Sequence, residues 1–238
     1  MNFKIPLYSG ILLKRYKRFF ADVKFNNEII ICHCPNPGSM KGLLNVGNKV
    51  YFSKSDNPKR KLKFTLEMIE IDGDLVGINT LRTNSIAKDL LLSKKFLLNY
   101  GYDEISSEIK VNNKTRLDFA LIKSGKIIGY VEVKNVTLVR NLDDKENRLA
   151  EFPDSITSRG DKHLKELINL SKKGFLCIML YIIQRSDCKN FAIAKDIDIN
   201  YAESFKKATN LNLEILAYGC KLSKKSIVIN NKMNIKEL

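Results

Sequence analysis

The first third of the chain, residues 1–80, consists of short runs in which apolar and polar positions alternate. Such alternation places every second side chain on one face and predicts β-strands. A Pro-Asn-Pro-Gly segment at 35–38 interrupts the pattern, and Asp72-Gly73-Asp74 is typical of a hairpin turn. About five short strands in this length predict a small barrel, with an OB-like barrel favoured over an SH3-like barrel or a small sandwich. The predicted strands cover residues 11–23, 28–34, 49–53, 63–71 and 75–80.

Beyond residue 80 the apolar positions follow a mixture of helical and strand-like periods. Asn84 or Ser85 is suited to cap the first helix, and Gly101 to end it. The predicted order is a helix 84–98, strands 105–111, 116–122 and 127–136, a polar loop 140–151, a helix 155–173, a strand 175–183, a helix 199–209 and a strand 213–218. This order predicts an α/β domain with a mixed sheet. The fold class is therefore α+β in two domains, a small barrel in residues 1–82 and the α/β domain in residues 83–238.

Two carboxylates face each other in the second predicted hairpin. Residues 124–126 form its turn, and a three-residue loop there places Asp118 opposite Glu132 and Arg116 opposite Lys134. Opposed side chains have Cβ atoms about 4.5–5.5 Å apart, and like charges so placed destabilise a sheet. A divalent cation, Mg²⁺ or Mn²⁺, held by Asp118 and Glu132 would explain the pair, since hard cations bind carboxylate oxygens. Lys134 points to the same side and could act on an attacking water, which is typical of metal-assisted hydrolysis.

The preceding strand offers a third acid for such a site. Glu108 lies on this strand and by alternation faces the same side as Asp118. The alternative interpretation of the whole hairpin is a surface salt-bridge cluster, in which Arg116 and Lys134 neutralise the two acids. The apolar residues on the same face indicate that the face is partly covered, and buried like-charged acids are more telling than exposed ones.

The net charge of the chain indicates which class of partner it attracts. Lys and Arg total 41 and Asp and Glu total 26, so the net charge is +15, which attracts polyanions such as DNA. Lys-rich composition and solvated surfaces are the alternative explanation of the basic clusters. A basic and aromatic cluster near residue 16 resembles the surfaces on which OB folds bind single strands. The candidate DNA-binding residues are Arg15, Lys17 and Arg18 in that cluster, Lys59, Arg60 and Lys61 in a loop, and Arg159, Lys162 and His163 on one helix face.

The sequence lacks the motifs typical of membrane, secreted and nucleotide-binding proteins. The longest apolar run, residues 175–183, is far shorter than the roughly 18–20 residues of a membrane span, and no apolar signal core is present at the start. These features predict a cytoplasmic protein with no membrane association. The chain has no Gly-rich Lys-Ser/Thr loop and no GxGxxG, so no nucleotide cofactor is expected.

The chain resembles known proteins both in a short motif and in longer segments of sequence. Asp118 with Glu132-Val133-Lys134 looks like the D…(D/E)-x-K signature of the PD-(D/E)xK nuclease superfamily, and the order of helices and strands is similar to that of its core. The wider sequence resembles the sugar fermentation stimulation protein A (SfsA) family. The matching segments are RYKRFFADV (15–23), HCPNPGSM (33–40), KSDN (54–57), VEVKNVTL (131–138) and FPDSITSRGDKHLKEL (152–167).

The resemblance implies an OB-like domain joined to a nuclease-like domain in a DNA-binding protein linked to regulation of sugar utilisation. It implies that the Val133 carbonyl joins Asp118 and Glu132 at the metal. It also implies that a further acid often comes from the first helix, where Asp89 lies, so Asp89 and Glu108 compete for the role of third acid and the facing of Glu108 favours the latter. The leading hypothesis is a DNA-binding protein with a Mg²⁺- or Mn²⁺-dependent phosphodiesterase site at Asp118, Glu132, Lys134 and Glu108. The alternatives are a non-catalytic DNA-binding regulator of sugar-metabolism genes that keeps the nuclease scaffold, and an RNA-binding module.

Overall fold

A computed structural model describes residues 1–141, 143–144, 147–211 and 213–237. The predicted polar loop 140–151 lies partly outside the described residues. The N-terminal strands are β1 (Tyr8–Tyr16), β2 (Phe20–Phe25), β3 (Glu28–His33), β4 (Lys49–Lys54), β5 (Phe64–Ile71) and β6 (Asp74–Gly77). They form a sheet in the order β3-β2-β1-β4-β5-β6, and a parallel pairing of β3 with β5 closes it into a barrel. Buried residues from all sides fill the barrel, including Leu12, Val23, Phe52 and Leu66. The predicted OB barrel is confirmed.

The predicted single strand at 11–23 is wrong, because the segment is the β1–β2 hairpin. Its turn contains Lys17 at φ 45° and Arg18 at φ 65°, both in the left-handed region. Such turns match the twist of the two strands that they connect. Lys17 and Arg18 are therefore exposed at the tip of the hairpin, and their side chains do not point to alternate faces of a strand.

The second domain is α/β, as predicted. Its elements are α1 (Thr83–Leu91), α2 (Lys94–Tyr100), β7 (Glu104–Asn112), β8 (Thr115–Lys123), β9 (Lys126–Val136), β10 (Leu149–Phe152), α3 (Ser158–Lys172), β11 (Leu176–Ile183), β12 (Asn190–Ile193), α4 (Ile199–Thr209), β13 (Leu213–Leu222), β14 (Ile227–Lys232) and β15 (Asn234–Ile235). The main sheet has the order β14-β13-β11-β9-β8-β7. The adjacent strands β9, β11 and β13 are parallel, and β14, β8 and β7 pair antiparallel with their neighbours, so the sheet is mixed.

Helices cover both faces of this sheet. Ile86 of α1 and Phe96 of α2 pack with Val131 and Val133 on one face. Leu164 of α3 and residues of α4 pack with other strand residues on the opposite face. The face that carries Glu132 is thus covered by α3 and α4, and is not a solvent-exposed sheet surface. Among the described residues, no helix has the length and apolar composition that crossing a bilayer requires.

The predicted helix 84–98 is two helices. The hydroxyl of Ser93 accepts from the amide of Phe96 and begins α2, and Gly101, at φ 65°, ends α2 as predicted. Asn84 does not cap α1, whose first residue follows a short 3₁₀ turn at Thr80–Arg82. The sequence pattern also missed a small parallel sheet in the order β10-β12-β15, because its strands are short and come from distant parts of the chain.

A buried ion-pair cluster joins the barrel to the α/β domain. The guanidinium of Arg148 is 1% exposed and lies 2.7 Å from Asp72 in the β5–β6 turn and 2.6 Å from Asp187. Arg185 binds the same Asp187 carboxylate at 2.6 Å. The Gly77 amide, at the end of the barrel, donates to the Gln184 carbonyl at 2.9 Å. Asp72 is half exposed, so the buried part of the cluster is the set of Arg148, Arg185 and Asp187 in the α/β domain, and the barrel contacts it through Asp72 and Gly77.

Candidate functional site

The two predicted carboxylates lie where the β8–β9 ladder ends. The predicted alignment is found from Phe119 with Val131 to Leu121 with Gly129. Nearer the turn the register shifts by one residue, and Lys123 pairs with Lys126. The predicted three-residue loop 124–126 is therefore wrong, because the turn has two residues and the shift restores the predicted alignment. Beyond Phe119 the ladder stops, and the Asp118 Oδ2 atom accepts from the Val133 amide at 2.7 Å. The side chain of Asp118 thus occupies the position at which a backbone carbonyl would otherwise pair with β9. This hydrogen bond fixes the carboxylate beside Glu132.

Glu132 is buried, with only 3% of its surface exposed. Its Oε1 atom accepts from Lys134 Nζ at 2.6 Å and lies 2.5 Å from Nδ1 of His163, which comes from α3. Its Oε2 atom is also buried but has no hydrogen-bond partner among the described residues. A salt-bridge cluster on an exposed sheet face is therefore excluded. The pairing expected between Arg116 and Lys134 is also wrong, because the β8–β9 ladder ends at Phe119 and Val131 before it reaches them. Arg116 is exposed.

The pKa values of Asp118 and Glu132 are shifted in opposite directions. Burial, together with the neighbouring Glu132 charge, raises the pKa of Asp118 to about 6, against the opposing effect of the Val133 amide and of Asn84. Burial also favours a higher pKa for Glu132, but Lys134 and His163 outweigh it and hold that pKa below its ordinary value. Both acids are hence ionised above about pH 6, and the site carries two buried carboxylates with one oxygen left open.

Helix α1 reaches the site through Asn84. Its Nδ2 atom donates to Asp118 Oδ1 at 2.8 Å. The sequence indicates Asn84 only as a helix cap, and its position near the start of the helix is the one signal that points to this site. Asp89 is further along α1, is 60% exposed and binds the amino-terminal ammonium of Met1. The first helix therefore presents an amide to Asp118, and its acid is engaged elsewhere.

Glu108 of β7 lies beside Asp118 of the adjacent strand β8, since its neighbours Ser107 and Ile109 pair with the residues on either side of Asp118. Its φ is 57°, however, and this left-handed residue reverses the alternation of β7. Ile105 packs toward α1 and α2, whereas Ile109 packs toward α3 and α4. The Glu108 side chain is 59% exposed and lies 3.8 Å from Arg116. Among the described residues, no group of three acidic, His or Cys side chains has a geometry that could hold a metal ion.

A basic cleft opens beside His163. It has a volume of about 620 Å³ and lies between the β7–β8 turn and the start of α3. Arg159, Lys162 and His163, which were expected to share a helix face, all line it, and Lys162 Nζ donates to the Lys114 carbonyl at 2.7 Å. No acidic side chain is among its described lining residues. The positively charged residues of this basic cleft are Lys110, Lys114, Arg116, Arg159 and Lys162.

The other predicted DNA-binding residues lie on the barrel. Arg15 is not free to contact phosphates, because its guanidinium donates to the carbonyls of Arg18 at 2.9 Å, Asn36 at 2.7 Å and Gly38 at 3.1 Å. Lys17 and Arg18 are exposed on the hairpin tip. In the β4–β5 loop, Lys59 and Lys61 are exposed, whereas Arg60 donates to the Thr65 hydroxyl at 2.7 Å.

The comparisons with known proteins cover the whole chain. Residues 13–78 match the family model described as "SfsA N-terminal OB domain", and residues 81–226 match "Sugar fermentation stimulation protein RE domain". Curated relatives named "Sugar fermentation stimulation protein homolog" are 48% identical in Pelagibacter ubique, over 99% of each chain, and 46% identical in Synechocystis, over 89% of this chain and 88% of that one.

A solved structure of Pyrococcus furiosus SfsA in complex with Ca²⁺ has the same fold. It superposes with a TM-score of 0.84 at 26% sequence identity, covering 100% of this chain and 98% of that one. The match extends over both the barrel and the α/β domain. Together with the family models and the curated relatives, it shows that the chain belongs to the SfsA, or sugar fermentation stimulation protein, family.

Proposed function

We propose that the protein is a DNA-binding phosphodiesterase that depends on Mg²⁺ or Mn²⁺, with its site at Asp118, Glu132 and Lys134. One observation carries the proposal: two ionised carboxylates lie buried together, and the Oε2 atom of Glu132 has no partner among the described residues. Leaving a buried polar atom without a hydrogen bond costs about 1–3 kcal/mol, and more for a charged group. The open Oε2 atom is therefore available to a ligand, and it lies beside a second carboxylate, that of Asp118.

The donor set fits a hard divalent cation. Mg²⁺ binds one or two carboxylates, keeps several waters and takes remaining ligands from substrate phosphates. Asp118 and Glu132 would hold it, with the Val133 carbonyl as the further ligand that the PD-(D/E)xK pattern implies. The Ca²⁺ of the Pyrococcus relative supports this assignment, since Ca²⁺ also selects oxygen ligands. When bound, the cation would stabilise negative charge on phosphoryl oxygens and lower the pKa of a bound water.

The surrounding side chains have distinct roles. Lys134 places its ammonium 2.6 Å from Glu132, where it can orient an attacking water or stabilise the charge that develops on the phosphoryl group. His163 fixes Glu132 from α3, and Asn84 fixes Asp118 from α1. Elements on both faces of the sheet thus hold the two acids in place, which is the preorganisation that catalysis of this kind requires.

The basic cleft supplies the substrate-binding surface. Its five cations adjoin His163, which touches Glu132, so the cleft leads to the acid pair. A group of cations with no acid among the described lining residues matches a phosphodiester backbone, although Arg116 also contacts Glu108 at 3.8 Å. Binding would release counterions. DNA in this cleft would bring a phosphodiester to Asp118 and Glu132. Asp89 and Glu108 have no place in this mechanism, because the first binds Met1 and the second pairs with Arg116.

The test is cleavage of labelled single-stranded and duplex DNA by the purified protein with Mg²⁺, Mn²⁺ or EDTA. We expect product with either metal, none with EDTA, and none from Asp118→Asn. Binding that persists in EDTA with no product under any condition would contradict the proposal. That result would favour the alternative function, a DNA-binding regulator of sugar-metabolism genes that keeps the scaffold.

A further inference from the structure

A second cleft runs between the barrel and the α/β domain and begins one residue beyond the proposed catalytic lysine. Its volume is about 340 Å³, within the range of roughly 300–1,000 Å³ that small-molecule pockets occupy. Asn135, which follows Lys134 in β9, lines its floor together with Thr137. Arg18 and Pro37 of the barrel form the facing wall. This interdomain cleft is distinct from the basic cleft, with which it shares no lining residue.

The chemistry of the interdomain cleft differs from that of the basic cleft. Of its described lining residues, Arg18 alone is positively charged. Its two acids are already engaged: Glu151 binds Arg140 at 2.5 Å, and Asp154 accepts from the Ser39 hydroxyl and the Met40 amide. A chain of phosphates would find few partners here. The cleft suits a flat, uncharged group that carries both donors and acceptors, which describes a nucleobase.

Two polar side chains on its floor have unused hydrogen-bonding capacity. Thr137 is 7% exposed, and its hydroxyl makes no hydrogen bond to another described residue. Asn135 accepts from Gln184 at 2.6 Å through Oδ1, while its Nδ2 donates to no described group. Together they offer a hydroxyl that can donate or accept and an amide that can donate. Recognition of an extruded base uses such groups on its Watson–Crick edge.

The barrel wall of the cleft is held in place. Arg15 ties the hairpin tip to the 36–39 loop through the carbonyls of Arg18, Asn36 and Gly38. The Ser39 hydroxyl then ties that loop to the Asp154 carbonyl at 3.0 Å. The cleft is therefore formed before any ligand arrives, which reduces the ordering cost of binding.

We propose that the interdomain cleft receives one unpaired base adjacent to the phosphodiester at Asp118, Glu132 and Lys134. The inference rests on the proposed function and deepens it, because it names single-stranded nucleic acid or an unpaired end as the substrate class. In a fully paired duplex the base is stacked, and placing it in the cleft would require unpairing and unstacking. The exposed side chain of Arg18 at the cleft would meet the phosphate that follows the base.

The test measures binding of the full-length protein in Ca²⁺ to a fluorescent single-stranded oligonucleotide and to a blunt hairpin duplex. We expect the single strand to bind at least about tenfold more tightly, which corresponds to one base contact of about 1.4 kcal/mol. Ser155 lines the cleft and is exposed, so Ser155→Trp fills the cleft and should abolish the preference. Ser155→Ala leaves the cleft open and is the matched control that should retain it.

A second variant distinguishes a loss of base binding from a folding defect of Ser155→Trp. Thr137→Val keeps the shape of the side chain and removes only a hydroxyl that has no described partner, so it should fold normally and bind the single strand about three- to tenfold more weakly. Equal affinity of the wild type for the two DNAs, or a preference that survives Ser155→Trp, would overturn the inference. Absence of metal-dependent cleavage with the preference intact would instead count against the proposed function alone.

Discussion

Replacing Asp118 with asparagine should make the metal-free protein more stable at neutral pH, although Asp118 belongs to the proposed site. Burial and the nearby Glu132 charge raise the pKa of Asp118 from its ordinary 3.8 to about 6. The folded protein therefore holds this proton more tightly than the unfolded chain does. Stability falls as the pH rises from about 4 to about 6, and the full loss is present at pH 7. An asparagine carries no charge and avoids this loss.

The size of the effect follows from the two pKa values. The rise from 3.8 to about 6 corresponds to at most about 3 kcal/mol at roughly 1.4 kcal/mol per pKa unit. The local hydrogen bonds can survive the change. The oxygen of the new amide can accept from the Val133 amide, and its nitrogen can donate to Asn84 once the Asn84 amide turns over.

The assay is urea or thermal unfolding in EDTA at pH 7 and at pH 4, with Asp89→Asn as a control. Asp89 is exposed and binds the amino terminus, so its replacement should cost little and leave any effect of Mg²⁺ unchanged. We expect Asp118→Asn to exceed the wild type by about 1–3 kcal/mol at pH 7 and by much less at pH 4. Added Mg²⁺ should stabilise the wild type and not this variant. A variant less stable than the wild type at pH 7 in EDTA would refute the reasoning.

Three further outcomes follow from the same geometry. Lys134→Met should lower cleavage about 100-fold or more while Mg²⁺ still stabilises the protein, as measured by single-turnover kinetics and unfolding. Arg159→Ala and Lys162→Ala should each weaken DNA binding and reduce the steepness of its salt dependence by about one, as measured by titration at several salt concentrations. Arg15→Ala should cost roughly 1–3 kcal/mol of stability in urea unfolding, because it removes hydrogen bonds to four backbone carbonyls. Arg18→Ala should change the stability by less than about 0.5 kcal/mol in the same assay.

The parts of the fold that sequence analysis predicted depend on local patterns. The alternation of β8 and β9 predicted which residues face each other, and the pairs from Leu121–Gly129 to Phe119–Val131 match it. The predicted turn does not match, because a two-residue turn and a one-residue shift between Leu121 and Ile122 together give the same alignment. The stop at Gly101 is likewise a local signal, and α2 ends there as predicted.

The failures arise where one residue breaks a regular pattern. The left-handed backbone of Glu108 reverses the faces of β7, and no alternation rule anticipates such a reversal. Lys17 and Arg18 form a turn inside what reads as one strand. Arg15 looks like a phosphate ligand in a basic cluster, yet the loop carbonyls that it binds become its neighbours only in the folded barrel. Asn84 reaches Asp118 only through the packing of α1 on the sheet.

The most direct test of the central claim is cleavage of labelled DNA by wild type, Asp118→Asn and Lys134→Met, with Mg²⁺, Mn²⁺ or EDTA. The unfolding measurements above establish that each variant is folded. We predict metal-dependent product from the wild type and at most about 1% of that rate from either variant. Cleavage that persists in EDTA or in both variants, or no cleavage by the wild type with any metal, would contradict the assignment of these residues to a metal-dependent phosphodiesterase.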